Sequence, residues 1–302
     1  MKNTRWHGSR SNKLRKSVAF SLAPPSATSN HPSSDQAMTD PEACPLEVRS
    51  YFVRGRNALL ARAEFEPLYI DYYLHRAAQD LKYTNEHDLM LKEALAALTL
   101  HLASRPQDET SGWTLNFDNP LLNIFVTGGS RPGRVTGRVF TEDVRDFGKN
   151  IFIAQTASQG KAARQSMVDF TGRDVFSAVE DFYTRSEQRM TRLFRHGEED
   201  IVMVSAQPDC DEEWLAALTP ESIMEVDKTE TLSLLETRLY IWHCGCNAER
   251  LFPVLAKLGD EDLSHAFGED EVITMTCPRC GARYRTSKEQ FEAWKVEKSE
   301  KA

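Results

Sequence analysis

The chain has 302 residues, 40% of them hydrophobic, with a formal charge of -8 and a pI near 5.6. Such content can build a core in one medium domain plus a smaller module. The acidic balance argues against a dedicated DNA- or RNA-binding protein, because phosphate contacts need a concentrated basic surface. No run of about 18 apolar residues occurs, so the sequence predicts no transmembrane helix.

Residues 1–43 read as a disordered tail: basic at first (Arg5, Arg10, Lys13, Arg15, Lys16), then rich in Ser and Pro without apolar period. Acid-poor and Ser-rich, the tail also has the look of an organelle transit peptide, and Met38 is an alternative start. From residue 48 the patterning becomes dense. Residues 48–65 mix aromatic and basic side chains before an Ala/Leu-rich segment that Pro67 ends. Helical spacing predicts helices over 68–81 and 86–103, with Asn85 as N-cap of the second. Short apolar runs with turn residues predict strands within 112–130, then over 134–141, 150–156 and 164–170. Gly128-Gly129 reads as a turn; no Lys-Ser/Thr follows and no G-x-G-x-x-G opens a helix, so it is not a phosphate loop.

Residues 174–188 form an amphipathic pattern with Asp174 at its N-terminus, and 192–195 with 201–206 read as a β-hairpin. The first domain is expected to end near Pro208. The acidic stretch 209–238 places Trp214, Leu215, Leu218, Ile223, Met224, Leu232, Leu234 and Leu235 at helical spacing. Its apolar face must pack on the first domain, on the C-terminal module or on a partner.

Four of the six cysteines then fall in two pairs, Cys244-Gly245-Cys246 and Cys277-Pro278-Arg279-Cys280. Two close pairs a module apart offer a tetrahedral ion four sulfur ligands. Thiolates are soft, so Zn2+ is the expected cofactor, held in a closed structural site by Cys244, Cys246, Cys277 and Cys280. His243 and His265 are bystanders beside a complete ligand set. The CxC and CxxC pairing suits a reducing, cytoplasmic compartment. A helix over 247–258 containing Pro253 and closed by Gly259, a second over 260–267, a strand over 272–276 and a last helix over 287–296 complete the module. Arg250, Arg279, Arg283 and Arg285 are candidates to offset thiolate charge. Cys210, among Asp209, Asp211, Glu212 and Glu213, and Cys44 do not read as nucleophiles. No triad, paired-carboxylate motif or H-E-x-x-H helix points to an enzyme.

The order of elements predicts an α+β protein with a tail over 1–43, an N-terminal sheet-and-helix core domain over 44–208, a helical linker over 209–240 and a small zinc-binding module over 241–302. A module of roughly 60 residues buries too little apolar surface to be comfortably stable alone. Metal therefore decides whether it folds, and oxidation of the ligands expels the ion and acts as an unfolding signal. On composition alone, a static zinc ribbon is the favoured alternative.

The residues His243-Cys244-Gly245-Cys246-Asn247-Ala248-Glu249-Arg250, the stretch from Val272 to Cys280 with Gly281-Ala282-Arg283-Tyr284, and Phe182-Tyr183-Thr184-Arg185-Ser186-Glu187-Gln188 resemble the heat-shock protein 33 family of redox-regulated holdases. The resemblance spans roughly 48–296. It implies that the reduced, zinc-loaded form is inactive, and that peroxide or hypochlorite with unfolding stress forms a disulfide within each pair. Zinc release then exposes surface that binds unfolded client proteins without ATP, and homodimer formation on oxidation is a further implication. Against the family pattern, the segment 208–244 is short and lacks the strand-like stretch leading into the CxC pair. Pro253 also stands in a helix that usually has no proline.

Overall fold

The computed structural model describes residues 44–269 and 271–300; the tail read over 1–43 lies outside the described residues. β1 (Leu46–Arg54) and β2 (Ala58–Glu64) form a hairpin, followed by α1 (Glu66–Ala78), with Pro67 in its first turn, and α2 (Asn85–Ala103). Pro67 is tolerated there because the first turn has no intrahelical use for its missing N–H. The N-cap of α2 is Thr84 rather than Asn85: its Oγ1 accepts the His87 N–H at 3.1 Å. The two positions are adjacent and both suit a cap, so only backbone geometry separates them.

A meander follows: β3 (Glu109–Asp118), β4 (Leu121–Ser130), β5 (Gly133–Phe140), β6 (Ile151–Ser158) and β7 (Arg164–Asp169). Gly128 and Gly129 lie inside β4, not in a turn. A Cβ on Gly128 would sit 2.6 Å from the Arg134 carbonyl oxygen and 2.9 Å from Leu102 Cδ1, so the glycine lets α2 press onto the sheet. α3 (Val175–Arg185) is capped by Asp174, which accepts the Ser177 N–H at 2.7 Å, and the hairpin β8 (Thr191–His196) and β9 (Asp200–Ala206) follows.

The expected linker is helical only in part. α4 (Glu212–Ala217), α5 (Pro220–Met224) and α6 (Val226–Thr229) are helices, but β10 (Thr231–Trp242) is a strand at the centre of the sheet. The order is β7-β6-β3-β4-β5-β10-β1-β2-β9-β8, so the sheet does not end near Pro208. The spacing of Leu232, Leu234 and Leu235 misled because a β-bulge opposite Ser50 and Tyr51 breaks strand alternation there. Leu215, Leu218, Ile223 and Val226 pack on Val53, Leu60, Phe194 and Val204, so the helical apolar face is buried on the first domain. The chain ends in α7 (Ala248–Leu255), α8 (Asp260–Phe267), the hairpin β11 (Val272–Thr276) and β12 (Arg283–Ser287), and α9 (Lys288–Glu300). Gly259 is the N-cap of α8, with extended backbone, rather than the closing residue of α7. Among the described residues no helix is long and apolar enough to cross a membrane.

α2 is the spine of the core: residues 90–103 are all buried, packed on β3, β4, β5 and α3. His101 sits there, its Nδ1 2.6 Å from the Tyr183 hydroxyl and its Nε2 3.3 Å from Ser111 Oγ. Burial, with Arg105 and Arg189 nearby, pushes its imidazole well below the usual value of 6.5. The unfolded chain therefore takes up a proton below about pH 6.5 that the folded chain excludes. Stability is full above that pH and should fall by up to about 1.4 kcal/mol per pH unit beneath it. Thermal denaturation between pH 7 and 5 should show this slope and His101→Gln should reduce it; equal slopes would refute the assignment.

Candidate metal centre

The two cysteine pairs arrive from different directions. Ile241 and Trp242, the last residues of β10, pair in parallel with Arg134 and Val135 of β5, and the His243 N–H donates to the Val135 carbonyl at 3.0 Å. The core sheet thus aims Cys244 directly. Gly245 turns the chain at φ +65°, a conformation that favours glycine, and Asn247 caps α7 by accepting the Arg250 N–H at 2.8 Å. The second pair is the tip of the β11–β12 hairpin. The Cys277 N–H donates to the Ala282 carbonyl at 2.8 Å and the Gly281 N–H to the Cys277 carbonyl at 3.0 Å, with Gly281 at φ +80°. In this knuckle the backbone N–H groups of Arg279 and Ala282 face the sulfurs of Cys277 and Cys280.

All four Sγ atoms lie within 4.8 Å of one another. The shortest separations cross between the pairs, 3.6 Å for Cys244 to Cys277 and 3.4 Å for Cys246 to Cys280. A disulfide needs about 2.05 Å, and all four thiols are free. A tetrahedron with metal–sulfur bonds of about 2.3 Å has edges of about 3.8 Å. The cluster therefore fits a tetrahedral thiolate-bound ion. Close packing also shares the protons: hydrogen bonding to Cys244 holds Cys246 down to about 7, and hydrogen bonds from Cys244, Cys246 and Cys280 hold Cys277 down too. The Tyr284 hydroxyl covers the site, 3.1 Å from the Cys246 sulfur while donating to the Cys246 carbonyl at 2.9 Å.

Exposure differs between the pairs. Cys277 and Cys280 are 1% and 0% exposed, whereas Cys244 and Cys246 are partly exposed. Moreover, the knuckle belongs to the main core, while Phe252, Leu255, Leu263, Phe267, Met275 and Phe291 form a separate small core. Among the described residues the cluster holds cysteines only; His243 packs its ring against Gly245. Cys44 is exposed, and burial, seconded by Glu212 and Asp211, pushes the Cys210 thiol up. The expected charge-offsetting arginines contribute differently: the Arg250 guanidinium donates to the Gly245 carbonyl, and Arg283 offers its backbone N–H to Gln79 Oε1. The guanidinium beside the knuckle is Arg138 of β5, and His75 and Gln79 at the end of α1 also touch it. No spacing rule flags residues that lie more than 130 positions away from the cysteines they meet.

A family model described as Hsp33 protein matches residues 196–287. The 33 kDa chaperonin of Escherichia coli is 30% identical over 234 residues, covering 65% of this chain and 78% of that relative. The chain belongs to the Hsp33 family. The Hsp33 relationship extends further in the 33 kDa chaperonin of Haemophilus influenzae, 26% identical over 280 residues that cover 82% of this chain and 92% of that protein. The crystal structure of the Hsp33 homologue of Thermotoga maritima shares the fold, with TM-score 0.64 at 14% identity over 84% of this chain and 99% of that one. Two departures from the Hsp33 pattern resolve. β10 supplies the strand into Cys244 that the sequence pattern does not show, and Pro253 sits inside α7, which still runs to Leu255.

Proposed function

We propose that this chain is a redox-regulated, ATP-independent holdase of a cytoplasmic compartment, switched by a Zn2+ ion on Cys244, Cys246, Cys277 and Cys280. The observation that carries the reading is the interleaved cluster of free sulfurs in an Hsp33-family chain. Bound there, the ion supplies folding energy and holds the thiolates reduced until an oxidant takes them. The chain's own residues do the rest. β10 aims the first pair, the β11–β12 tip carries the second, and Tyr284 shields Cys246. We divide the chain into a core domain that takes in β10, a helical connection over 212–229, and a metal module from 243 onward.

In the resting form the helical apolar face is covered by the core, in keeping with an inactive reduced state. A second reading, a static zinc site, draws support from the deep burial of Cys277 and Cys280, which shields them from oxidant. One experiment separates the two. The reduced protein is treated with peroxide at raised temperature while a chromogenic chelator follows zinc and light scattering follows a thermally unfolding client. Zinc release together with suppressed aggregation supports the switch. Retained zinc, or release without holdase activity, favours the static site.

A further inference from the structure

The metal knuckle is held by the core domain as much as by its own module. Arg138 Nη1 donates to the Cys277 carbonyl at 3.0 Å, His75 Nε2 donates to the Cys280 carbonyl at 2.9 Å, and Gln79 Oε1 accepts the Arg283 N–H at 2.8 Å. Gly281 makes the close approach possible: a Cβ there would meet the Leu81 methyls at 3.1 and 3.2 Å and Arg138 Nε at 3.8 Å. The three contacts come from β5 and from the end of α1, far from the cysteines in sequence.

Arg138 has an unusual setting. Its guanidinium lies over the Phe140 ring at 4.2 Å, and its buried Nε has no hydrogen-bond partner. Burial disfavours its charge, as does Arg283 nearby, and the groups that offset this are Tyr83, Cys277 and Cys280, with no carboxylate among them. A half-buried cation needs a counter-charge. Four thiolates around one divalent ion carry a net charge of about −2, directly beside it.

We propose that Arg138 is a positioning residue of the metal centre, which with His75 clamps the knuckle into the core and ties that docking to the thiolate charge. This rests on the metal-site and redox reading above. When hydrogen peroxide oxidises one pair, two thiolates and two protons meet one H2O2: an S–S bond forms, the O–O bond breaks, and two waters leave. When both pairs have reacted and the ion has left, the local charge goes from −2 to zero. Arg138 then faces two neutral disulfides, and the docked arrangement loses its electrostatic support. The core domain thereby senses the state of the centre through one side chain, and the knuckle leaves its bed.

The test uses the full chain, reduced and zinc-loaded, with Arg138→Met, Arg138→Lys and His75→Ala. Zinc affinity is measured by chelator competition, and backbone hydrogen exchange over 277–283 is followed in parallel. Arg138→Met should weaken zinc retention about tenfold, the lower range for partners behind metal ligands, and speed exchange of the knuckle. Arg138→Lys, which keeps the charge, should recover much of the loss, and His75→Ala should speed exchange with a smaller effect on affinity. Wild-type affinity and exchange in a folded Arg138→Met protein overturn the proposal. Should that variant not fold, wild-type exchange of the knuckle in His75→Ala does the same. These readouts concern the reduced protein, so a wild-type chain that keeps its zinc under peroxide sinks the switch reading while the clamp is still judged by affinity and exchange.

Discussion

Cys277→Ser should leave the protein without its metal and unfold residues 243–300 while the ten-stranded sheet persists. The small core of the module is Phe252, Leu255, Leu263, Phe267, Met275 and Phe291, with Trp294 packed alongside. That is little apolar surface to set against the conformational entropy of nearly sixty residues, at about 1–2 kcal/mol each for the backbone alone. A structural zinc site contributes an apparent ~10–16 kcal/mol at neutral pH, against ~5–15 kcal/mol for a whole domain. Removing one of four ligands therefore decides the state of the module. Because Cys277 is also part of the main core, its knuckle should leave the bed formed by α1 and β5. Metal analysis with limited proteolysis checks this: cleavage confined to residues 243–300 is the expected pattern. A metal-free variant whose module stays protected would contradict it. Chelation of the wild-type chain under reducing conditions should give the same pattern.

Gly133→Val should be nearly as damaging, though Gly133 touches no cysteine. A Cβ on Gly133 would overlap the Leu239 carbonyl oxygen and lie 3.4 Å from the Tyr240 Cα. The obstacle is backbone of β10, which cannot rotate away as a side chain could. Overpacking a side chain into a tight core costs typically 1–3 kcal/mol; here we expect about 3 kcal/mol or more. β5 and β10 share only two register pairs, Ile241 with Arg134 and Trp242 with Val135. Forcing the strands apart at Gly133 should open the seam between the two halves of the sheet and displace Cys244, two residues beyond Trp242. Denaturant titration reads the stability, and chelator competition reads the metal site. A variant that loses stability but keeps wild-type zinc affinity would show that the β5–β10 seam does not position the cysteines.

Much of the fold is legible in local pattern because local physics decides it. The meander from 109 to 169 alternates and turns where strand chemistry requires, and the Asp174 cap and the apolar stripe of α3 fix the start of that helix, which ends three residues before the predicted Gln188. β10 is the instructive failure. Its bulge breaks the two-residue period, and its leucines at 234, 235 and 239 remain exposed, so neither amphipathicity nor burial marked it as a central strand. Only pairing with β1 on one side and β5 on the other makes it one, and pairing is a property of partners distant in sequence.

The candidate metal centre divides along the same line. Spacing alone singled out Cys244, Cys246, Cys277 and Cys280, because a tetrahedral ion demands soft ligands in close pairs and few other arrangements of cysteine need them. The tertiary structure decided how they meet: the shortest sulfur separations cross between the pairs, and the knuckle sits in the main core rather than in its own module. It also decided which cation and which histidine stand behind them. Arg138 and His75 lie far from the cysteines in the chain and become their neighbours only because β5, α1 and the β11–β12 tip converge. The candidate ligand set is a local chemical requirement written in two short runs, 244–246 and 277–280. The surroundings that tune it are set by long-range packing, which no local pattern in the chain encodes.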